Sequence, residues 1–436
     1  MPRTAIPGAA RLAPHAFPDA HAVRPIKAAL ARERRLRTTV ALAFMAPLLL
    51  FMAVFFVLPI AKVLVLAVWS PEVRDAMPRS ALALRAWDRA ALPGDALYDS
   101  VARDLADTGA DRALGRMAQR LEYEQRGFRA LLYRSARAAS QAAAAGTLSP
   151  ATAREVLTRA DNRWNDIAYW QVLARAASPW TANFLLTAVD LEQSPDGTIH
   201  KAPASHATYL AILGRTFQVS AVVTLCCLLL GYPVAYWLTT LTSQRAAWVM
   251  IGILIPFWAS LLVRIAAWMV LLQREGAVNK VLAALHIISQ PLDLLFNRLG
   301  VYISMTHILL PVMILPLYSV MKEISPAYQR AAISLGSHPF QAFWRVYAPQ
   351  TMAGVSAGSL LAFIMALGYY IAPAFLGGAG DQFMSYYVAY FTNQQINWGL
   401  ACALGAVLLG ATALTYGVLR LMMRAGVHVY RRSSGP

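Results

Sequence analysis

An all-α integral membrane protein is the fold class this sequence predicts: six membrane-crossing helices, with a mainly helical insert between the first and second. Three observations carry that reading. The chain is 58% hydrophobic and only 14% charged, where an average globular chain is roughly 25% charged, and its mean hydropathy is +0.46. Six apolar runs each reach the ~20 residues that a helix needs to cross a bilayer. Charges of both signs gather instead in one long stretch, Ser70–Arg215, where strand signals are scarce.

Residues 1–37 form a polar tail. Pro2, Pro7, Pro14, Pro18 and Pro25 argue against one regular helix, so most of the tail is expected to be loose. Arg24, Lys27, Arg32, Arg34, Arg35 and Arg37 crowd its end, and positive charge beside a first span keeps that end in the cytoplasm. Residues 38–69 make the first span. The run is too long for the apolar core of a cleavable signal, and no small-residue cleavage site follows it. Lys62 lies near its outer end, where a long side chain can snorkel to the interface.

Residues 70–215 form the insert, outside the cytoplasm by topology. Leu114, Met117, Leu121 and Phe128 keep a helical period among good helix formers. Ser149-Pro150, followed by Thr152 and Glu155, marks a helix start, and Pro195-Asp196-Gly197 a turn. The Ala-rich piece Gln141–Gly146 is not a span, because Arg129, Arg134 and Arg137 precede it closely.

Residues 216–424 hold the other five spans. Thr216–Leu241 carries the kink signal Gly231-Tyr232-Pro233. Ala246–Leu272 contains Arg264, the only charge near the middle of a span. Val301–Met321 holds His307 and Pro311; Ala353–Phe375 and Leu400–Met423 follow. The outward loops are Gln273–Gly300, with a short surface helix expected in VNKVLAALHIIS, and Gly377–Gly399, expected to turn at its glycines. Residues 425–436 form a second cytoplasmic tail. On this count the turn Ser243–Arg245 and the loop 322–350 also lie inside. Arg245, Lys322, Arg330, Arg345 and the terminal arginines agree with that placement.

The loop Lys322–Gln350 reads as two short helices with a sharp break. Ser325 is a good N-cap and Pro326 suits the first helical position. Tyr328, Ala331, Ala332 and Leu335 make one apolar stripe, and Gly336 sits where a left-handed cap ends the first helix. Ser337 is placed to cap the second helix, which carries Phe340, Phe343, Trp344 and Tyr347, and Pro349 to stop it.

This stretch resembles the EAA loop of binding-protein-dependent ABC importer permeases of type I. Arg330-Ala331-Ala332, Gly336, Val346 and Pro349 stand at the spacing of that motif. Two residues depart from it: Arg330 replaces its glutamate and Ala348 its leucine. The family uses the loop as a coupling helix that docks into a groove of a cytoplasmic ATPase. Pro256–Asn279, PFWASLLVRIAAWMVLLQREGAVN, and Ala366–Gly378, ALGYYIAPAFLGG, are similar to the spermidine/putrescine importer permeases. The likeness covers Thr216 to about Met422 and does not explain the insert.

The resemblance implies a six-helix permease subunit of the bacterial inner membrane, with both termini cytoplasmic and a periplasmic insert. It implies alternating access and no enzymatic activity or cofactor in this chain. ATP and Mg would be bound by two cytoplasmic ABC ATPase subunits; no G-x-x-x-x-G-K-[ST] occurs here to cradle phosphates. A second homologous permease subunit and a periplasmic solute-binding protein would complete the assembly. The solute would be small, polar and amine-containing, with polyamines first. None of the six spans holds an Asp or Glu, so an amino-acid-like or opine-like zwitterion or anion is the alternative.

Arg264 either contacts solute or the second permease, or clamps backbone carbonyls as scaffold. Trp258, Trp268, Tyr369 and Tyr370 either line a path for a cation or pack. His307 is expected to be an interior histidine rather than a proton relay. Other classes fit less well. The net charge of +17 gathers beside membrane runs, which argues against nucleic acid. Cys226, Cys227 and Cys402 lie in apolar runs without metal spacing. A membrane sensor or assembly protein, with the insert as recognition domain, lacks room for a cytoplasmic output domain. A secondary transporter would show repeated halves and coupling carboxylates.

Overall fold

The computed structural model describes residues 20–108, 112–204 and 207–433, and the chain divides into two compact units, residues 1–62 and 63–436. In the first, Ala20–Met52 is one α-helix. The expectation of a loose tail therefore fails from Ala20 onward, where Ala, Leu, Arg and Glu extend the helix back from the apolar run. Residues 1–19 lie outside the described residues. Ala53–Val57 is a π-turn, in which Leu58 N–H reaches back five residues to the Ala53 carbonyl. Pro59 follows it. A proline has no N–H and crowds the carbonyl four residues earlier, and a wider turn moves that carbonyl aside.

Among the described residues, four helices are long and apolar enough to cross a membrane: Arg37–Leu66, Tyr209–Thr240, Arg298–Glu323 and Trp398–Val418. Two bent pairs raise the number to six if each is one span. Several boundaries move. The second long helix starts at Tyr209 rather than Thr216 and runs through Pro233 without a break. The last is helical to Ser433, through most of the expected tail. The stretch read as a straight third span is two helices, Ser243–Trp258 and Leu261–Leu272, bent by 92°. Ala259 and Ser260 are extended between them. The fifth stretch also breaks, at Tyr369–Tyr370, between Met352–Gly368 and Ile371–Leu376. Continuous hydropathy conceals such breaks, because the apolar residues run on through them.

The second unit has a membrane-like core and a separate helical core in the insert. Helices Tyr209–Thr240, Arg298–Glu323 and Met352–Gly368 pack together. Gly354, Gly358, Ala362 and Ala366 repeat every four residues on the buried side of the last one. A Cβ on Gly358 would stand 2.9 Å from Met313 Sδ and 3.0 Å from the Met313 carbonyl. Small residues at this spacing let helix backbones approach closely without water to drive them together.

The insert buries Leu114, Met117, Leu121 and Phe128 with Tyr98, Trp164 and Trp170. Its aromatic polar atoms are satisfied: Tyr98 OH donates to the Trp164 carbonyl at 2.8 Å, and Trp164 Nε1 to Ser135 Oγ at 2.7 Å. It also contains a short antiparallel hairpin, Leu191–Gln193 with Ile199–Lys201, around the expected Pro195-Asp196-Gly197 turn. The insert rests on the N-terminal end of the last long helix. Gln119 Nε2 donates to the Gln395 carbonyl at 2.6 Å, and Tyr123 OH to the same atom at 3.3 Å. The Phe184 ring lies so close to Gly399 that a Cβ there would be 2.3 Å from it.

Candidate functional site

The hairpin 322–350 folds as its local sequence dictates, with two corrections. Ser325 Oγ accepts from Ala327 N–H at 3.3 Å and opens helix Pro326–Ser334. Gly336 closes it at φ +92°. Gly336 N–H donates to the Ile333 carbonyl at 3.0 Å and Ser337 N–H to the Ala332 carbonyl at 3.1 Å. These paired bonds are the Schellman arrangement, which satisfies two orphan carbonyls at once. The next helix is capped by His338, not Ser337: its Nδ1 accepts from Phe340 N–H at 3.3 Å. Pro349 does not stop it either. A π-turn, Phe343–Tyr347, precedes Pro349 and carries the helix on to Gln350, the same device found before Pro59.

The hairpin presents one face and anchors by the other. Leu335 is 89% exposed, Phe340 67%, Tyr328 58% and Trp344 57%. Arg330 and Ala331 are exposed beside them, and Ala332 and Val346 are half-buried. On the anchoring side Phe343 stacks on Tyr347 at 5.5 Å, and both meet Tyr236 edge-on, at 5.4 and 5.3 Å. Tyr232 shares a hydrogen bond of 3.1 Å with Thr351 Oγ1. Tyr232 and Tyr236 were not foreseen as anchors. Their i, i+4 spacing at the same end of the helix as the hairpin was the available signal. From Ile324 to Gln350 the chain holds no acidic residue, so the exposed face is apolar, aromatic and positive.

The second cluster lies at the two breaks. Arg264 sits one turn into Leu261–Leu272, its guanidinium 5.8 Å from the Phe257 ring centre. Its Nε is buried without a hydrogen-bond partner among the described residues. Trp268 Nε1 donates to His307 Nδ1 at 3.3 Å, and the two rings meet edge-on at 5.4 Å. Trp268 and His307 are thus brought together, with Arg264 one turn before Trp268 on the same helix, and Tyr369 packs against the same buried core as Trp268. His307 is exposed within this chain rather than interior. Trp258 stands apart, 86% exposed at the end of the preceding half-helix, and Tyr370 is 41% exposed. Close by in sequence, Asn279 is a clamp: Nδ2 donates to the Gln273 and Leu292 carbonyls at 3.1 and 2.9 Å, and Oδ1 accepts from Leu292 N–H at 3.0 Å.

Comparison with known proteins follows the same boundaries. Residues 207–425 of the 436 match the family described as binding-protein-dependent transport system inner membrane component. The spermidine/putrescine transport system permease protein PotB of Haemophilus influenzae is 35% identical over 171 residues, 39% of this chain and 60% of that protein. PotB of Escherichia coli is 34% identical over 171 residues, 39% of this chain and 62% of that protein. The inner membrane ABC transporter permease protein YdcU of Escherichia coli is 29% identical over 233 residues, 50% of this chain and 73% of that protein. The chain therefore spans about three fifths of the length of the PotB relatives. A crystal structure of a bacterial ABC transporter that imports the acidic polysaccharide alginate aligns with a TM-score of 0.41 and 15% identity, covering 49% of this chain and 79% of that one. The family match covers half of the sequence and takes in both the hairpin and the Arg264 cluster: the chain belongs to the binding-protein-dependent transport system inner membrane components.

Proposed function

We propose that the chain is the transmembrane permease subunit of an ATP-driven, solute-binding-protein-dependent importer in the bacterial inner membrane. Six spans cross the membrane with both termini in the cytoplasm, and the insert is periplasmic. Two ABC ATPase subunits supply ATP hydrolysis with Mg, and a second homologous permease completes the pathway. The carrying observation is the hairpin 322–350. Leu335, Phe340, Tyr328 and Trp344 stay exposed on a loop whose two helices are internally capped and pinned by an aromatic cluster. A soluble loop gains nothing from exposing them; a helix-in-groove contact does.

Nucleotide-driven closure of the ATPases moves the hairpins, and the spans rock between inward and outward openings because ATP binds the closed state better. Arg330, Ala331, Ala332, Gly336, Val346 and Pro349 form the coupling element. The solute is small, polar and amine-containing, with a polyamine supported by the PotB likeness. Arg264 without a span carboxylate favours a second reading, a zwitterionic or anionic amine compound carried by the same machinery.

The test is purification of the tagged chain from its own membranes in a transport-competent assembly. An ATPase and a second permease should copurify, and Leu335→Asp should release the ATPase. An active assembly without any ATPase refutes the proposal. Titration of the associated binding protein with putrescine, spermidine and amino acids separates the two solute readings.

A further inference from the structure

We infer that the insert carries the landing surface for the solute-binding protein: an arginine face on its central helix pair that takes an acidic protein surface. The inference rests on the importer reading above and concerns residues that the family match does not reach.

The helices Arg112–Glu124 and Phe128–Ala144 pack against each other. On the first, Arg112, Arg116, Gln119 and Tyr123 fall on one stripe. On the second, Arg129, Tyr133 and Arg137 recur every four residues on the exposed side. The two stripes adjoin, since a Cβ on Gly115 would meet the Tyr133 hydroxyl at 3.5 Å. Arg126, in the connection between the helices, is exposed as well.

Several other arginines of the insert are paired, although, among the described residues, the exposed Arg85 and Arg89 are not. Arg79 meets Asp107 at 2.7 Å, Arg154 meets Asp95 at 3.2 Å, and Arg163 meets Asp161 at 2.7 Å. On this face, among the described residues, Arg116, Arg126, Arg129 and Arg137 join no ion pair. Helix Phe128–Ala144 contains no acidic residue. The nearby carboxylate of Glu122 is occupied by backbone amides of Gly127 and Arg129, at 3.0 and 2.8 Å. Like charges that outnumber their counter-charges, here with Glu122 the carboxylate beside Arg129, cost the free domain stability, and an acidic partner removes that cost. Tyr133, 42% exposed among them, adds the aromatic contact that arginine-rich interfaces favour.

Position supports the same occupant. Gln119 and Tyr123, on the Arg116 stripe, hold the Gln395 carbonyl at the outer end of the last span. A protein bound to the arginine face is therefore held beside the outer end of the permease core, where a solute carrier must deliver.

The test uses the assembled transporter in nanodiscs of uncharged lipid, with the solute-binding protein that stimulates its ATP hydrolysis. Raising NaCl should weaken the unmodified pair at least about tenfold, mainly through a slower association rate. The triple variant Arg116→Glu, Arg129→Glu, Arg137→Glu should bind about tenfold more weakly, or worse, with unstimulated ATP hydrolysis unchanged. Salt-independent affinity, or a triple variant bound and stimulated like the wild type, overturns the inference. So does a variant that loses only affinity for phosphatidylglycerol-containing vesicles, which would make the face a lipid site. If no binding protein stimulates the assembly, the importer reading itself fails, a result visible before any variant is made.

Discussion

Gly336 offers the sharpest test of the hairpin as a rigid transmitter. Its φ of +92° is a conformation that a Cβ opposes, yet no atom lies within 4 Å of where that Cβ would stand. Any loss on substitution therefore comes from the backbone and not from a clash. Alanine should cost about 1 kcal/mol, asparagine less because it tolerates positive φ, and valine about 2 kcal/mol or more because it is β-branched. What opens is the pair of bonds from Gly336 and Ser337 to the Ile333 and Ala332 carbonyls. With RT near 0.59 kcal/mol, those costs reduce the closed hairpin by roughly fivefold for alanine and thirtyfold for valine. ATPase copurification and stimulated ATP hydrolysis should then rank Gly, Asn, Ala, Val in descending order. Valine performing like glycine, or asparagine as badly as valine, would refute the argument that the left-handed turn is what presents Leu335.

Two further predictions concern the insert. Gly399→Leu must displace the Phe184 ring and should cost about 1–3 kcal/mol of seating, read as faster hydrogen exchange across Asn183–Ala188; unchanged exchange would show that Phe184 yields freely. Asp161 is buried and accepts from Arg163 Nη2 at 2.7 Å, Nε at 2.9 Å and backbone N–H at 3.2 Å. The Arg163 hydrogen bond holds its carboxyl below the usual carboxylate range. A depressed carboxylate stabilises the fold fully above its unfolded pKa and loses that contribution progressively as pH falls from there through the folded value. Asp161→Asn should therefore cost about 1.5–3 kcal/mol at pH 7, and the gap from wild type should shrink below about pH 4. Thermal unfolding followed by tryptophan fluorescence of the insert at pH 7 and pH 3 checks both signs; a gap that widens in acid contradicts them.

The sequence by itself determined the class of the molecule, the apolar runs, the charged insert and the local grammar of the hairpin. Those features are written over short distances: span length in hydropathy, Ser325 and Pro326 at a helix start, Gly336 at its end. Where a local rule had a competitor, it erred by a residue or a turn. His338 took the cap expected of Ser337, and the π-turn at Phe343–Tyr347 let the helix pass Pro349. The tertiary structure alone decided the 92° break after Trp258, the meeting of Trp268 with His307, the anchoring of Phe343 on Tyr236, and the seating of Phe184 against Gly399. Each joins residues far apart in the chain, or bends a run whose hydropathy never changes. A one-dimensional pattern records how greasy a segment is, but not which neighbour it meets.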